Sequence, residues 1–209
     1  MSATTLSNRP SIGTPMQCLQ QTQRKALAQR DSNARYCTLA TLEEADLTQL
    51  RMRTLVIREI TEESCLLFVN RQSQKRLSDL DNSNAEVLFF YPTLMSQFRL
   101  RGSLTLLSAQ ELEPHWQHKP YEAKLLDHFY TGFHAQSAAI ADRDTLDQGI
   151  AELKLRYPDA SGVPFIEDAL GLVVNANYLE IWQACDSGIH DRRLYKRSAS
   201  EWQEAVLVP

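Results

Sequence analysis

Alternation of apolar and polar positions is the strongest pattern in this chain. From Gln49 to Ile60, Leu50, Met52, Leu55 and Ile57 recur among basic and polar neighbours, which predicts a strand. Ser64 to Asn70 is an apolar run too short for a helix, and the polar stretch Glu59 to Glu63 before it predicts a hairpin turn. Tyr36 to Ala40, Ala85 to Tyr91 and Gln97 to Leu107 also have strand character, the last two joined by a turn near Pro92 to Ser96. Gly102 inside the long strand predicts a bulge or a close backbone approach. Three more strands are expected over 171–182, 192–197 and 202–208.

Helical spacing appears elsewhere. Residues 16–31 lack Pro and Gly and carry a stripe of Met16, Leu19, Ala26 and Leu27. Ser73 to Asp81 has Leu77 and Leu80 at helical spacing. Gln110 to Tyr130 predicts a helix interrupted at Pro120, and Ile150 to Tyr157 a further one. Residues 136–147 have no clear period, Asp142-Arg143-Asp144 is expected in a solvated loop, and Pro158 to Pro164 carries turn chemistry. The order is strands, helices, strands, which implies an α+β architecture: a mostly antiparallel barrel with peripheral helices.

Composition limits the function classes. The chain has 209 residues, 43% hydrophobic and 23% charged, which suits a domain with a core that needs no metal or disulfide staple. Residues 1–15 are small and polar and are expected to be flexible, leaving 16–209 as a single domain. The net charge of −4 provides no overall basic field, so no nucleic-acid partner is expected. The four cysteines, Cys18, Cys37, Cys65 and Cys185, have no paired spacing and are expected to be reduced thiols in a cytoplasmic protein. No apolar run is long enough to span a bilayer, and no apolar leader core precedes residue 16. His115 and His118 lack a further ligand at zinc-like spacing, so no metal is expected.

Two segments carry candidate chemistry. In a strand, Arg53, Leu55 and Ile57 point to one face and Thr54, Val56 and Arg58 to the other. Such a strand either exposes two solvated arginines or lines a flat ring and holds its phosphate. Asn70 to Arg76 places Ser73 as an N-cap before a predicted helix, with Lys75 and Arg76 beside it. That is either a capped surface helix or an anion site.

Taken in order along the chain, these segments resemble the pyridoxamine 5′-phosphate oxidase family. The resemblance rests on Arg53 to Arg58, Leu67-Phe68-Val69-Asn70, Ser73-Gln74-Lys75, Ser96-Gln97-Phe98-Arg99, Gln136-Ser137, Ile181-Trp182-Gln183 and His190-Asp191-Arg192-Arg193-Leu194-Tyr195. It covers roughly residues 35–209 and implies an FMN-binding split β-barrel, FMN as cofactor and a homodimer with FMN at its interface. By resemblance, Arg53 and Lys75 hold the FMN phosphate. Thr54, Leu55, Val56, Arg58, Phe68, Val69, Ser73, Gln74, Gln97, Gln136, Ser137, Trp182 and Arg192 complete the cofactor set.

The family's oxidases act on a B6 vitamer phosphate, and the corresponding substrate positions here are Arg58, His115, Lys119, Ala123 and His190. Ala123 stands where the family has a serine, and Gly188 where it has an arginine near the reacting end of the substrate. His190 is the position expected to touch the substrate at that end. The resemblance therefore implies an FMN-dependent oxidoreductase with an altered substrate site. The alternatives are an FMN carrier or sensor without robust turnover, and a split barrel for another ligand such as haem or a deazaflavin.

Overall fold

The computed structural model describes residues 13–43, 46–70, 84–199 and 201–209. The strands are β1 (Tyr36–Glu43), β2 (Asp46–Ile60), β3 (Ser64–Asn70), β4 (Asn84–Tyr91), β5 (Ser96–Leu107), β6 (Ala169–Gln183), β7 (Asp191–Ser198) and β8 (Glu201–Val206). The helices among the described residues are α1 (Pro15–Ala28), α2 (Ala109–Gln117), α3 (Tyr121–Gly132) and α4 (Arg143–Arg156). Strand order is β3-β2-β1-β4-β5-β6-β7-β8, and β3 also pairs with β6. That extra pairing closes β3, β2, β1, β4, β5 and β6 into a barrel, while β7 and β8 extend from β6. The result is the expected split barrel. The helix expected over 73–81 lies outside the described residues.

The chain divides into two compact units. The first comprises Met1–Cys65, Ala85–Gly102 and Asn175–Pro209. Its helix α1 begins with a capping box between Thr14 and Gln17 and buries Met16, Leu19 and Ala26. Leu27, expected on the same stripe, is exposed. The Gln20 side chain donates to the Ile60 carbonyl at 2.5 Å and the Gln23 side chain to the Ala34 carbonyl at 3.1 Å. These bonds tie α1 to the strand region of its unit.

In the same unit, β1 and β2 pair antiparallel from Tyr36 opposite Val56 to Leu42 opposite Leu50. Cys37 and Leu39 are buried, whereas Tyr36, Leu42, Leu50, Met52 and Val56 are exposed on the other face. Gly102 makes the close approach its sequence position suggested: a Cβ there would lie 1.8 Å from the Asn175 carbonyl oxygen. Only glycine fits without moving backbone.

The second unit comprises Leu66–Asn84 and Ser103–Val174. Its helices bury Leu112, Trp116, Leu125, Phe129 and Leu153 with Val163 and Ala169. Helix α4 starts at Arg143, seven residues before the expected Ile150, because Asp142 caps it by accepting the Thr145 N–H at 2.8 Å. Asp142 and Asp144 therefore form the start of a helix, not a solvated loop. No helix of the described residues is long and apolar enough to cross a membrane.

Cys37, Cys65 and Tyr91 lie in the core of the first unit. Burial raises the Cys37 thiol to about 12, and burial followed by the Cys37 charge raises Cys65 well above its ordinary value. Burial, then Cys65, Cys37 and Asp31, raises Tyr91 as well. The neutral thiol of Cys37 supports the fold below its unfolded pKa, and that support is lost as pH rises from about 8.5 toward the folded value. A thiol reagent at pH 8 should therefore react quickly with exposed Cys185 and reach Cys37 and Cys65 only on unfolding. Cys37→Ala should flatten the fall in urea stability between about pH 9 and 11.

Candidate functional site

One polar face in the first unit gathers residues from four adjacent strands. On β5, Gln97, Arg99 and Arg101 alternate with the buried Phe98 and Leu100. On β6, Tyr178, Glu180 and Trp182 share a face, and Arg192 on β7 lies directly opposite Trp182. Glu180 accepts from Arg192 Nε at 2.9 Å, from Arg99 Nη1 at 3.5 Å and from the Tyr178 hydroxyl at 3.3 Å. Glu86 on β4 takes Arg99 at 2.6 Å and Arg101 at 3.2 Å, and the Arg101 guanidinium lies 4.6 Å from the centre of the Tyr178 ring.

The charges in this strip hold one another ionised. Burial pushes the Glu180 pKa upward, but Arg192, Arg99 and Tyr178 outweigh it and leave the carboxyl below its ordinary value. Glu180 in turn raises Arg192. Sequence reasoning identified Trp182, Arg192 and Gln97 but missed Glu180. The available signal was a charged residue at the centre of an otherwise apolar strand run.

His190 sits at the end of this face. Its ring packs edge-on against Trp182, with centroids 4.8 Å apart. Its Nδ1 accepts the Cys185 N–H at 3.2 Å, so the neutral ring carries its proton on Nε2. Between them runs a tight turn in which the Gly188 N–H donates to the Cys185 carbonyl at 3.0 Å. Gly188 has φ of +76°, with open space where a Cβ would lie. The backbone here favours glycine, and no guanidinium is present.

Strand β2 divides its residues as expected. Arg53, on the face of Leu55 and Ile57, donates from Nη2 to the Thr41 hydroxyl at 3.1 Å. Burial, then the neighbouring Arg51 charge, lowers the Arg53 pKa. Thr54, Val56 and Arg58 occupy the opposite face, with Thr54 and Val56 exposed and Arg58 half-buried. Ser73, Gln74 and Lys75 lie outside the described residues.

In the second unit, Phe68 on β3 packs edge-on against His115 on α2, with centroids 5.8 Å apart, while Val69 is half-buried. Lys119 is ion-paired to Asp127 and lies 5.1 Å from the Trp116 ring centre. Sequence reasoning did not anticipate Asp127 as its partner. Ala123 offers no polar side chain on α3. Gln136 hydrogen-bonds the Tyr130 hydroxyl, yet its buried Oε1 has no partner among the described residues. Ser137 beside it adopts a left-handed φ of 67°, an uncommon conformation for serine.

Residues 16–108 match the family model described as pyridoxamine 5′-phosphate oxidase, FMN-binding domain. A pyridoxine/pyridoxamine 5′-phosphate oxidase from Psychrobacter sp. (strain PRwf-1) is 32% identical over 160 residues, covering 76% of this chain and 73% of the relative. This chain belongs to the pyridoxamine 5′-phosphate oxidase-like FMN-binding family. The Psychrobacter arcticus oxidase is 27% identical over 183 residues, covering 88% of this chain and 82% of the relative.

Among solved structures, PhzG from Burkholderia lata 383 in complex with tetrahydrophenazine-1-carboxylic acid superposes with a TM-score of 0.80 at 21% identity. It covers 97% of this chain and 95% of PhzG. A pyridoxamine 5′-phosphate oxidase-related, FMN-binding protein from Nostoc punctiforme gives 0.72 at 21% identity, covering 95% of this chain and 100% of that protein.

The residues of this family member fit FMN chemically. Arg53 carries a positive charge whose pKa is lowered by burial and a like charge, both of which a phosphate would counter. Gln136 keeps a buried acceptor suited to an N–H or O–H of the cofactor. Trp182 supplies an aromatic edge beside a fixed guanidinium.

Because Gly188 sits at positive φ, Gly188→Ala should lower unfolding free energy by about 1–2 kcal/mol. Gly188→Asn should cost less, since asparagine tolerates that region. Urea titrations of the two variants check this ordering.

Proposed function

We propose that this protein is an FMN-dependent oxidoreductase whose substrate site differs from that of the pyridoxine/pyridoxamine 5′-phosphate oxidases it resembles. The observation that carries the flavin reading is the common face of β5, β6 and β7 bearing Gln97, Trp182 and Arg192. Arg53 and Lys75, with Ser73 and Gln74, are proposed to hold the FMN phosphate. Thr54, Leu55, Val56, Arg58, Phe68, Val69, Gln136 and Ser137 are proposed to complete the cofactor site with Gln97, Trp182 and Arg192.

When bound, FMN supplies the two-electron chemistry by accepting a hydride equivalent from a small donor. The chain's residues bind and orient that donor. Arg58, His115 and Lys119 are proposed to recognise an anionic substrate, with a B6 vitamer phosphate as the leading class. His190 holds a proton at Nε2, directed by the Cys185 N–H on Nδ1. The turn at Gly188 supports an altered preference, since it withholds the cationic contact the family places there. A second reading, an FMN carrier or sensor, is favoured by the ion pair that engages Lys119 with Asp127.

Anaerobic mixing with pyridoxamine 5′-phosphate tests the oxidoreductase reading with a B6 vitamer phosphate as donor. Bleaching of the flavin absorbance supports the oxidoreductase with that substrate, whereas an unbleached flavin rules that substrate out. Arg53→Ala combined with Lys75→Ala should reduce the flavin retained on purification by more than about tenfold, the loss expected from a charge-assisted contact. Unchanged flavin content would refute the phosphate assignment.

We also propose a homodimer. Leu50 and Met52, each 67% exposed, share the apolar outer face of β1–β2 with Tyr36, Leu42 and Val56. A contiguous apolar face of this kind suits a second protein surface. Sedimentation should give a dimer for the native chain and a monomer for Met52→Glu.

A further inference from the structure

Glu180 has a chemical position that the flavin assignment does not use. It is 3% exposed, lies at the centre of the polar face, and receives hydrogen bonds from both flanking strands. One carboxylate oxygen takes Arg192 Nε, and the other takes Arg99 Nη1 and the Tyr178 hydroxyl. Arg99 is itself braced by Glu86, so the order across β4, β5, β6 and β7 is Glu86, Arg99, Glu180, Arg192.

Arg192, half-buried on β7, is the last residue of this chain of charges and the only one of the four proposed to meet FMN. A long arginine side chain has many rotamers, and ordering it costs entropy. Glu180 restrains it through Nε, while Nη1 reaches the Val208 carbonyl at 3.5 Å. Trp182 stands opposite Arg192 in register, so the restraint fixes the guanidinium relative to the indole. Glu180 also opposes the Arg192 charge at the point of contact. A nearby cation favours the more negative reduced state of a flavin, and a paired carboxylate weakens that bias.

We propose that Glu180 is a positioning residue that fixes Arg192 beside Trp182 and, by opposing its charge, holds down the reduction potential of bound FMN. This inference rests on the proposed placement of FMN at Trp182 and Arg192.

The test uses the full-length protein with FMN, comparing wild type, Glu180→Gln and Glu180→Asp. FMN affinity is read by quenching of flavin fluorescence, and the midpoint potential by anaerobic dye equilibration. Glu180→Gln removes the charge and should weaken oxidised FMN binding by about tenfold. Relative to oxidised FMN, it should tighten reduced FMN by about tenfold, a positive shift of roughly 30 mV for two electrons. Glu180→Asp keeps the charge but shortens the reach, so it should weaken binding while leaving the potential near that of wild type.

A solely structural role would lower stability without moving the potential in this sign-specific way. If Glu180→Gln binds FMN as wild type does, or binds it at an unshifted potential, the proposal fails while the flavin reading stands. If Glu180→Gln does not fold, unchanged affinity in Glu180→Asp overturns the proposal. A wild-type protein that takes up no FMN overturns the underlying flavin reading, and the Glu180 role with it.

Discussion

Antiparallel pairing sends successive side chains to opposite faces of a strand, so each long strand here has to serve two environments at once. β5 buries Phe98 and Leu100 on one side and presents Gln97, Arg99 and Arg101 on the other. β6 buries Leu179 between Tyr178 and Glu180, and the next residue on the Glu180 face is Trp182. A slip of one residue in register would exchange these sets, putting guanidinium groups into the core and phenylalanine on the polar face. Register is therefore the constraint on which the candidate site depends. The close approach of Gly102 to Asn175 helps set it, because a side chain at 102 would collide with backbone.

Once register places the polar groups, electrostatics decides whether they can remain charged. A buried carboxylate is costly unless it is paired and hydrogen-bonded. Glu180 meets that condition with two arginines and a tyrosine. The i,i+4 pairs Arg143–Asp147 and Arg156–Glu152 on α4 differ in kind: both are exposed, and such pairs contribute about 0–1 kcal/mol. The strip around Glu180 also crosses four strands, so it joins elements that are distant in sequence.

Much of the fold was legible because its signals are local. Alternation marked β2, a short apolar run marked β3, and Gly102 pointed to a bulge or a close approach, of which the structure has the approach. The family motifs likewise pointed to Gln97, Trp182, His190 and Arg192, four residues the structure brings to one unit. The misreadings arose where a local pattern was weak. Helix α4 starts at an Asp142 cap inside a polar stretch without apolar period, and Leu27 falls just beyond the edge of the buried stripe of α1. Glu180 and Asp127 escaped notice because an acidic residue has no meaning until its cation is known, and both cations lie elsewhere in the chain.

The chain by itself determined the α+β barrel class, the strand positions and the family, since alternation, turn residues and short ordered motifs act over a few residues each. Tertiary structure alone decided which charges meet. It gave Arg192 to Glu180, Lys119 to Asp127, and the His190 ring to the edge of Trp182. It also supplied a reason for Gly188, whose positive φ belongs to a turn closed by its N–H on the Cys185 carbonyl. The physical reason is distance: a hydrogen bond or ion pair acts across a few ångströms of space, whatever number of residues separates its partners.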